Sequence, residues 1–179
     1  VASFDQMSGG RIYVNLIAGL SEKDAYAEGQ VMSKEGRYEQ LEEEVVLLKR
    51  LWTEEKVEHE GKYYQVHGPT IIPKCVQQPH PPFFLGGGSE QAAEISAKHS
   101  AIHLFWGDYP ERIGEQIKEL RARAAKYGRA DELRFAMRLQ IICRETEDEA
   151  WAFADQLIAG ADEGWKELSK TVRSEEHTS

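Results

Sequence analysis

Four short apolar, β-branched runs, each followed by a stretch with helical or turn character, constrain this chain more than any other feature. They are Arg11–Gly19, Phe83–Leu85, Ala101–Trp106 and Arg134–Cys143. Each is too short for a buried helix and is bounded by glycine or polar residues, so each reads as a strand. Between them lie segments of helical period. Tyr38, Leu41, Val45, Leu48 and Trp52 recur three or four apart, with Glu42, Glu43, Lys49 and Arg50 among them, behind a Ser33 N-cap. Gln91 onward, Pro110–Tyr127 (closed by Gly128) and Glu145–Ala159 (with acidic residues in its first turn) complete the helices. Val57–Val66 reads as a hairpin turning at Glu60-Gly61. Gly68–Pro82, rich in Pro and Gln, reads as an extended connector. Strands alternating with helices predict an α/β fold with a parallel sheet, interrupted by one hairpin insertion.

Composition narrows the class. The 179 residues carry 41% hydrophobic and 30% charged residues, as in ordinary globular domains. A net charge of −9 repels phosphate backbones, so no nucleic-acid partner is expected. No apolar run reaches the length of a bilayer span, so no membrane partner is expected either. Cys75 and Cys143 form no C-x-x-C pair and read as reduced thiols. The histidines His59, His67, His80, His99, His103 and His177 show no metal-ligand spacing, and no metal is expected. His103 reads as a satisfied core histidine, and Glu42-Glu43-Glu44 as a solvated helix face.

The chain starts at Val1, in what reads as the end of a helix, and closes with Arg173–Ser179, RSEEHTS. That string looks like the translation of a sequencing adapter. The expected organisation is therefore one incomplete domain over 1–172 and an artefactual tail over 173–179.

In parallel α/β folds, functional groups gather where strands end. Those positions hold Asn15 and Ala18, then Gly86–Ser89, then Trp106 and Gly107, then Arg138 and Gln140. Asn15 stands out because an amide inside an apolar strand is costly to bury without a partner. The turn Gly86-Gly87-Gly88-Ser89 joins a strand to a helix start. Its small residues let backbone N–H groups approach an anion, with the helix dipole behind them. A glycine-rich turn that binds nothing is an equal reading of that feature alone. In the last strand, Phe135, Met137, Leu139 and Ile141 alternate with Ala136, Arg138, Gln140 and Ile142. The apolar set is expected under the outer helices, and Arg138 is expected inward. There its guanidinium would meet a sulfonate or phosphate, or a structural carboxylate.

The segments GRIYVNLIAG, EGRYEQLEEEVVLLKRLW, GKYYQVHG, VQQPHPPFFLGGGSE and RFAMRLQIICRETEDEAW resemble, in this order, the luciferase-like flavin-dependent monooxygenases of the alkanesulfonate monooxygenase type. The resemblance runs from Val1 to about Ala159. It implies a partial (β/α)₈ TIM barrel, roughly strands four to seven, with the hairpin as an insertion. It also implies reduced FMN supplied by an NAD(P)H-dependent flavin reductase, and O2 that adds to the flavin and oxygenates the substrate. A small alkanesulfonate would lose sulfite. A cytoplasmic homo-oligomer is the implied state of the complete protein.

Residue by residue, the resemblance makes Asn15, Ala18, Tyr38, Gly87, Gly88 and Ser89 cofactor-binding, with Tyr38 and the turn at the FMN phosphate. It makes Arg138 and Gln140 the residues at the substrate. Three positions depart from the family pattern: Ala18 replaces a usual Thr, Gly88 a usual Ser and Gln140 a usual His. The last favours other substrates of the same family: a sulfone, an amine carboxylate or a long-chain organic. A deazaflavin-dependent oxidoreductase and a non-catalytic phosphate- or partner-binding barrel module are the further alternatives. The 179 residues by themselves are expected to be inactive and prone to aggregation, because a partial barrel exposes sheet edges and apolar surface.

Overall fold

The computed structural model describes residues 1–19, 26, 27, 29, 32–69 and 71–159. Most of the polar stretch Leu20–Gly29, the tail 173–179 and the end of the 1–172 domain lie outside the described residues. The chain divides into two compact units, Val1–Met137 and Arg138–Ser179.

In the first unit, α1 (Ala2–Ser8) is closed by Gly9 in the left-handed conformation, whose N–H returns to the helix carbonyls. Strand β1 (Val14–Leu16) follows, then α2 (Lys34–Thr53). Ser33 caps α2 as its sequence suggests, its side chain accepting from Gly36 N. The hairpin is β2 (Lys56–Glu60) and β3 (Gln65–Pro69), antiparallel with Glu60 opposite Gln65. After the connector come β4 (Phe83–Gly86), α3 (Glu90–His99), β5 (Ile102–Trp106), α4 (Pro110–Ala125) and β6 (Arg134–Arg138). The strands form one four-stranded sheet in the order β1-β4-β5-β6, and the hairpin stands apart as a two-stranded sheet. Strands β1 and β4, and β4 and β5, pair in parallel, with Asn15 beside Phe84 and Leu85 beside His103. This is the expected α/β order, with a hairpin inserted between α2 and β4.

The sheet has a dry face under the helices. Leu16, Phe83 and Leu85 bury against Leu41, Val45 and Trp52 of α2 and against Ala92 and Ile95 of α3. Phe105 buries against Ala97, Leu120 and Ala124, and Phe135 stacks on it at 5.8 Å. Full burial of each large apolar side chain contributes on the order of 2 kcal/mol. The α2 stripe read from the sequence is the stripe that packs. On the opposite face Tyr13 and Ile17 are exposed, and Tyr13 meets Phe84 edge-on at 5.1 Å.

A buried carboxylate orders the connector. Asp5, fully buried, accepts hydrogen bonds from Val76 N (2.7 Å), Gln77 N (2.9 Å) and Gln77 Nε2 (2.8 Å). Burial alone would raise its pKa, but the bonds from Gln77 and Val76 outweigh that and lower it. Gln77 Nε2 also donates to Ile12 O, so the connector is tied to the approach of β1.

The second unit differs from its sequence reading. Strand β6 stops at Arg138, not Cys143. Leu139 is 55% and Ile141 83% exposed, so neither packs under a helix. Helix α5 (Glu147–Ala159) starts two residues later than expected, with a reciprocal cap in which Glu149 N donates to Thr146 Oγ1 and Thr146 N to the Glu149 carboxylate. Arg144 lies over the Phe153 ring at 3.7 Å.

Candidate functional site: a glycine turn at the strand ends

The candidate site is built where β1 and β4 end. At Gly86 strand β4 passes tightly against β5: a Cβ there would stand 3.0 Å from Leu104 O, closer than ordinary contact. The next residue, Gly87, has φ +140°, a conformation that L side chains rarely adopt. A Cβ on it would lie 3.0 Å from Ala92 Cβ and 3.6 Å from Tyr38 Oη. Around Gly88 the space is open, with nothing within 4 Å of a Cβ position. Ser89 then caps α3, its hydroxyl accepting from Ala92 N at 3.2 Å while its carbonyl accepts from Ala93 N. The helix itself cannot use the N–H groups of Glu90 and Gln91, its first-turn donors. The turn therefore combines free donors, the positive end of a helix dipole and open space beside Gly88.

Tyr38 comes from the first turns of α2, fifty residues earlier in the chain, and its hydroxyl reaches the Gly87 end of this turn. Its neighbour Arg37 is buried, 7% exposed. Arg37 Nε donates to Ala18 O at 3.1 Å and Nη1 to Met32 O at 3.0 Å. Ala18, just past β1, is thereby linked through Arg37 to Tyr38, and both Ala18 and Tyr38 pack on the main core cluster. Sequence reasoning passed over Arg37. The only signal was its place beside Tyr38 in the GRYE segment.

The other expected residues fall as follows. Asn15 shares its face with Phe84, away from the helices, and is exposed, so the cost of burying its amide does not arise. Arg138 ends β6 and opens the second unit. Gln140 lies beyond the strand in an irregular, exposed stretch, so the strand alternation that paired it with Arg138 does not extend to it. His103 is not a site residue. It is 2% exposed on the helix-facing side, with Nδ1 3.0 Å from Ser96 Oγ, and burial pushes its pKa down to about 4. Among the described residues no three His, Cys, Asp or Glu side chains are grouped to hold a metal ion. No helix there is long and apolar enough to cross a membrane.

The profile of the family described as luciferase-like monooxygenase matches residues 1–179, and the chain belongs to that family. The fold is similar to EDTA monooxygenase from Chelativorans sp. BNC1, at TM-score 0.80 and 24% identity, over 95% of this chain and 47% of that one. It is similar to a riboflavin lyase with modified FMN and substrate riboflavin (TM-score 0.75, 24% identity, 84% of this chain and 40% of that one). It is also similar to the coenzyme F420 dependent tetrahydromethanopterin reductase from Methanopyrus kandleri (TM-score 0.71, 20% identity, 84% and 47%). The chain thus spans less than half the length of these proteins. These likenesses establish a partial barrel of the luciferase type.

Proposed function

We propose that the complete protein is a flavin-dependent monooxygenase that takes reduced FMN and O2 and acts on a small alkanesulfonate. The observation that carries the flavin part is the convergence of Tyr38 with the Gly87-Gly88-Ser89 turn at the start of α3. The residues present fit a flavin phosphate: a side chain at Gly87 would fill the cradle, and the open side of Gly88 leaves room for an anion. In this reading Gly87 and Gly88 let the backbone approach the phosphate, and the Glu90 and Gln91 N–H groups donate to it. Ser89 holds the helix start in place, and the Tyr38 hydroxyl donates from the opposite side. Asn15 and Ala18, at the end of β1, would hold the rest of the cofactor. Reduced FMN, when bound, supplies the electrons that activate O2. Arg138 would hold the substrate anion with its planar fork of donors, and Gln140, beyond the end of the strand, would contribute a neutral amide to the substrate. An NAD(P)H-dependent flavin reductase is the proposed partner, and a cytoplasmic homo-oligomer the proposed state. The tail 173–179 is proposed not to belong to the functional domain.

Two second readings have their own support. Gln140 in place of His, together with the likeness to EDTA monooxygenase, favours an amine carboxylate over a sulfonate, with a sulfone or long-chain organic in the same class. The likeness to the coenzyme F420 dependent reductase favours a deazaflavin. The test assays sulfite release from a panel of alkanesulfonates by the complete protein, with a flavin reductase, reduced FMN and O2. Sulfite that depends on both FMN and O2 is expected. Tight binding of reduced FMN without sulfite moves the substrate to the other classes. Preference for the deazaflavin in a parallel titration replaces the cofactor. Binding of neither leaves the non-catalytic barrel module.

A further inference from the structure

We infer that Arg37 is a positioning residue that sets the Tyr38 hydroxyl against the glycine turn. This inference rests on the flavin reading above and extends it to a residue that touches no ligand. Placing a guanidinium where it is only 7% exposed is costly. A buried cation persists only if its donors are matched. Arg37 matches two of its donors to main-chain carbonyls that belong to different places: Ala18 O, at the end of β1, and Met32 O, just ahead of the α2 N-cap.

One planar group thus pins the first turn of α2 to the end of a sheet strand. Arg37 N also donates to Ser33 O at 3.0 Å, so the side chain and the backbone of this residue lock the same turn. Gly19 beside this contact has φ +98°, a conformation that L side chains rarely adopt. Tyr38 is the next residue in the chain, and its position relative to Gly87 depends on how α2 is seated over β1 and β4. The bond to Ala18 O ties the turn to the end of β1, and the bond to Met32 O, just ahead of the N-cap, holds the rigid guanidinium plane in the orientation that this tie needs.

The consequence is specific to the phosphate end of the flavin. Arg37 acts on FMN through Tyr38 and has no effect on a flavin without a phosphate. The test measures FMN and riboflavin binding to the complete protein by flavin fluorescence quenching. The variants are Tyr38→Phe, Arg37→Lys, Arg37→Gln and the double variant Arg37→Lys/Tyr38→Phe. Lysine keeps the charge but lacks the rigid plane of diverging donors that holds the guanidinium in one orientation. Glutamine leaves no buried charge and keeps one donor arm, so it serves if the lysine variant does not fold.

Tyr38→Phe and Arg37→Lys are each expected to weaken FMN binding about tenfold, the loss of one charge-assisted hydrogen bond, with riboflavin binding unchanged. The double variant is expected to be no weaker than either single one, because both remove the same contact. Additive losses, or equal losses for FMN and riboflavin, would make Arg37 a general support of the fold and overturn the inference. So would FMN binding left intact in Arg37→Lys or Arg37→Gln. A parent protein that binds neither flavin removes the flavin reading itself, and this inference with it.

Discussion

His103 shows how a single side chain can set a property of the fold without touching the site. Its imidazole is buried between β5 and α3, and its pKa lies near 4 against 6.5 for a free histidine. As pH falls, the unfolded chain takes up this proton first. The stabilisation from keeping the ring neutral is complete above about pH 6.5 and disappears toward pH 4, amounting to about 3 kcal/mol. His80 and His99, also lowered by burial, act in the same direction, and Asp5 continues the trend in the acid range below them. Urea unfolding of the complete protein should therefore show a midpoint that drops between pH 7 and pH 4.5. His103→Gln should flatten much of that drop, and an undiminished drop in the variant would refute the assignment. Residues of this kind were only partly legible in the sequence. Tyr38 and the Gly87-Gly88-Ser89 turn announce themselves through motif and composition, and His103 through its place in an apolar strand. Arg37 and Asp5 do not, because nothing in a periodicity marks a charged residue whose partners are backbone groups far along the chain.

At the level of elements, α2 does more than bury an apolar stripe. Its Glu43 carboxylate accepts from Tyr63 N at 3.1 Å and Tyr64 N at 2.9 Å and lies 3.1 Å from His59 Nε2. Glu39 meets Lys62 and the Tyr63 hydroxyl, and Gln40 meets the Tyr64 hydroxyl. A Cβ at Gly61 would run into the Glu43 carboxylate, so a side chain there would have to displace it from Tyr63 N and Tyr64 N. The acidic run read as a solvated face is thus partly a docking site: Glu43 seats the loop between β2 and β3, and Glu42 pairs with Lys98. Glu43→Ala is expected to speed amide exchange at Tyr63 and Tyr64 about tenfold, leaving Leu85 and His103 in the sheet unchanged. Acceleration across the sheet as well would mean that the hairpin is no separate unit. Strand β6 failed in the opposite sense. The alternation of Phe135, Met137, Leu139 and Ile141 continues past Arg138, but a strand lasts only as long as its neighbour pairs with it, and the neighbouring β5 ends at Trp106. Side-chain period does not carry the length of the partner.

For the whole molecule, the decisive quantity is the apolar surface left outside the cores. Ile17 and Trp106 of the first unit are 69% and 52% exposed, and Trp151, Leu157 and Ile158 of the second 65%, 57% and 72%. Strands β1 and β6 are the outer strands of the described sheet. The 179 residues expressed alone are therefore expected to self-associate in light scattering and to show no turnover with reduced FMN and O2. Turnover by a monodisperse preparation of these residues would refute this. The fold class was legible at this scale because the strand-helix order survives in any stretch of such a barrel. The substrate was not, since fold alone does not specify what is bound.

The Asp5 clamp has a consequence for assembly in time. Strands β4 and β5 meet after about 20 residues of chain, whereas β1 reaches β4 only by closing a loop of about 70 residues. The longer closure costs about 1 kcal/mol more in chain entropy, by the logarithmic scaling of loop size. Asp5 grips Val76 and Gln77 across nearly the same separation in sequence. Its bonds and the β1–β4 pairing are therefore not two independent searches. Whichever forms first brings the other's partners within reach, and a single encounter between distant parts of the chain completes both the sheet joint and the tether beside it.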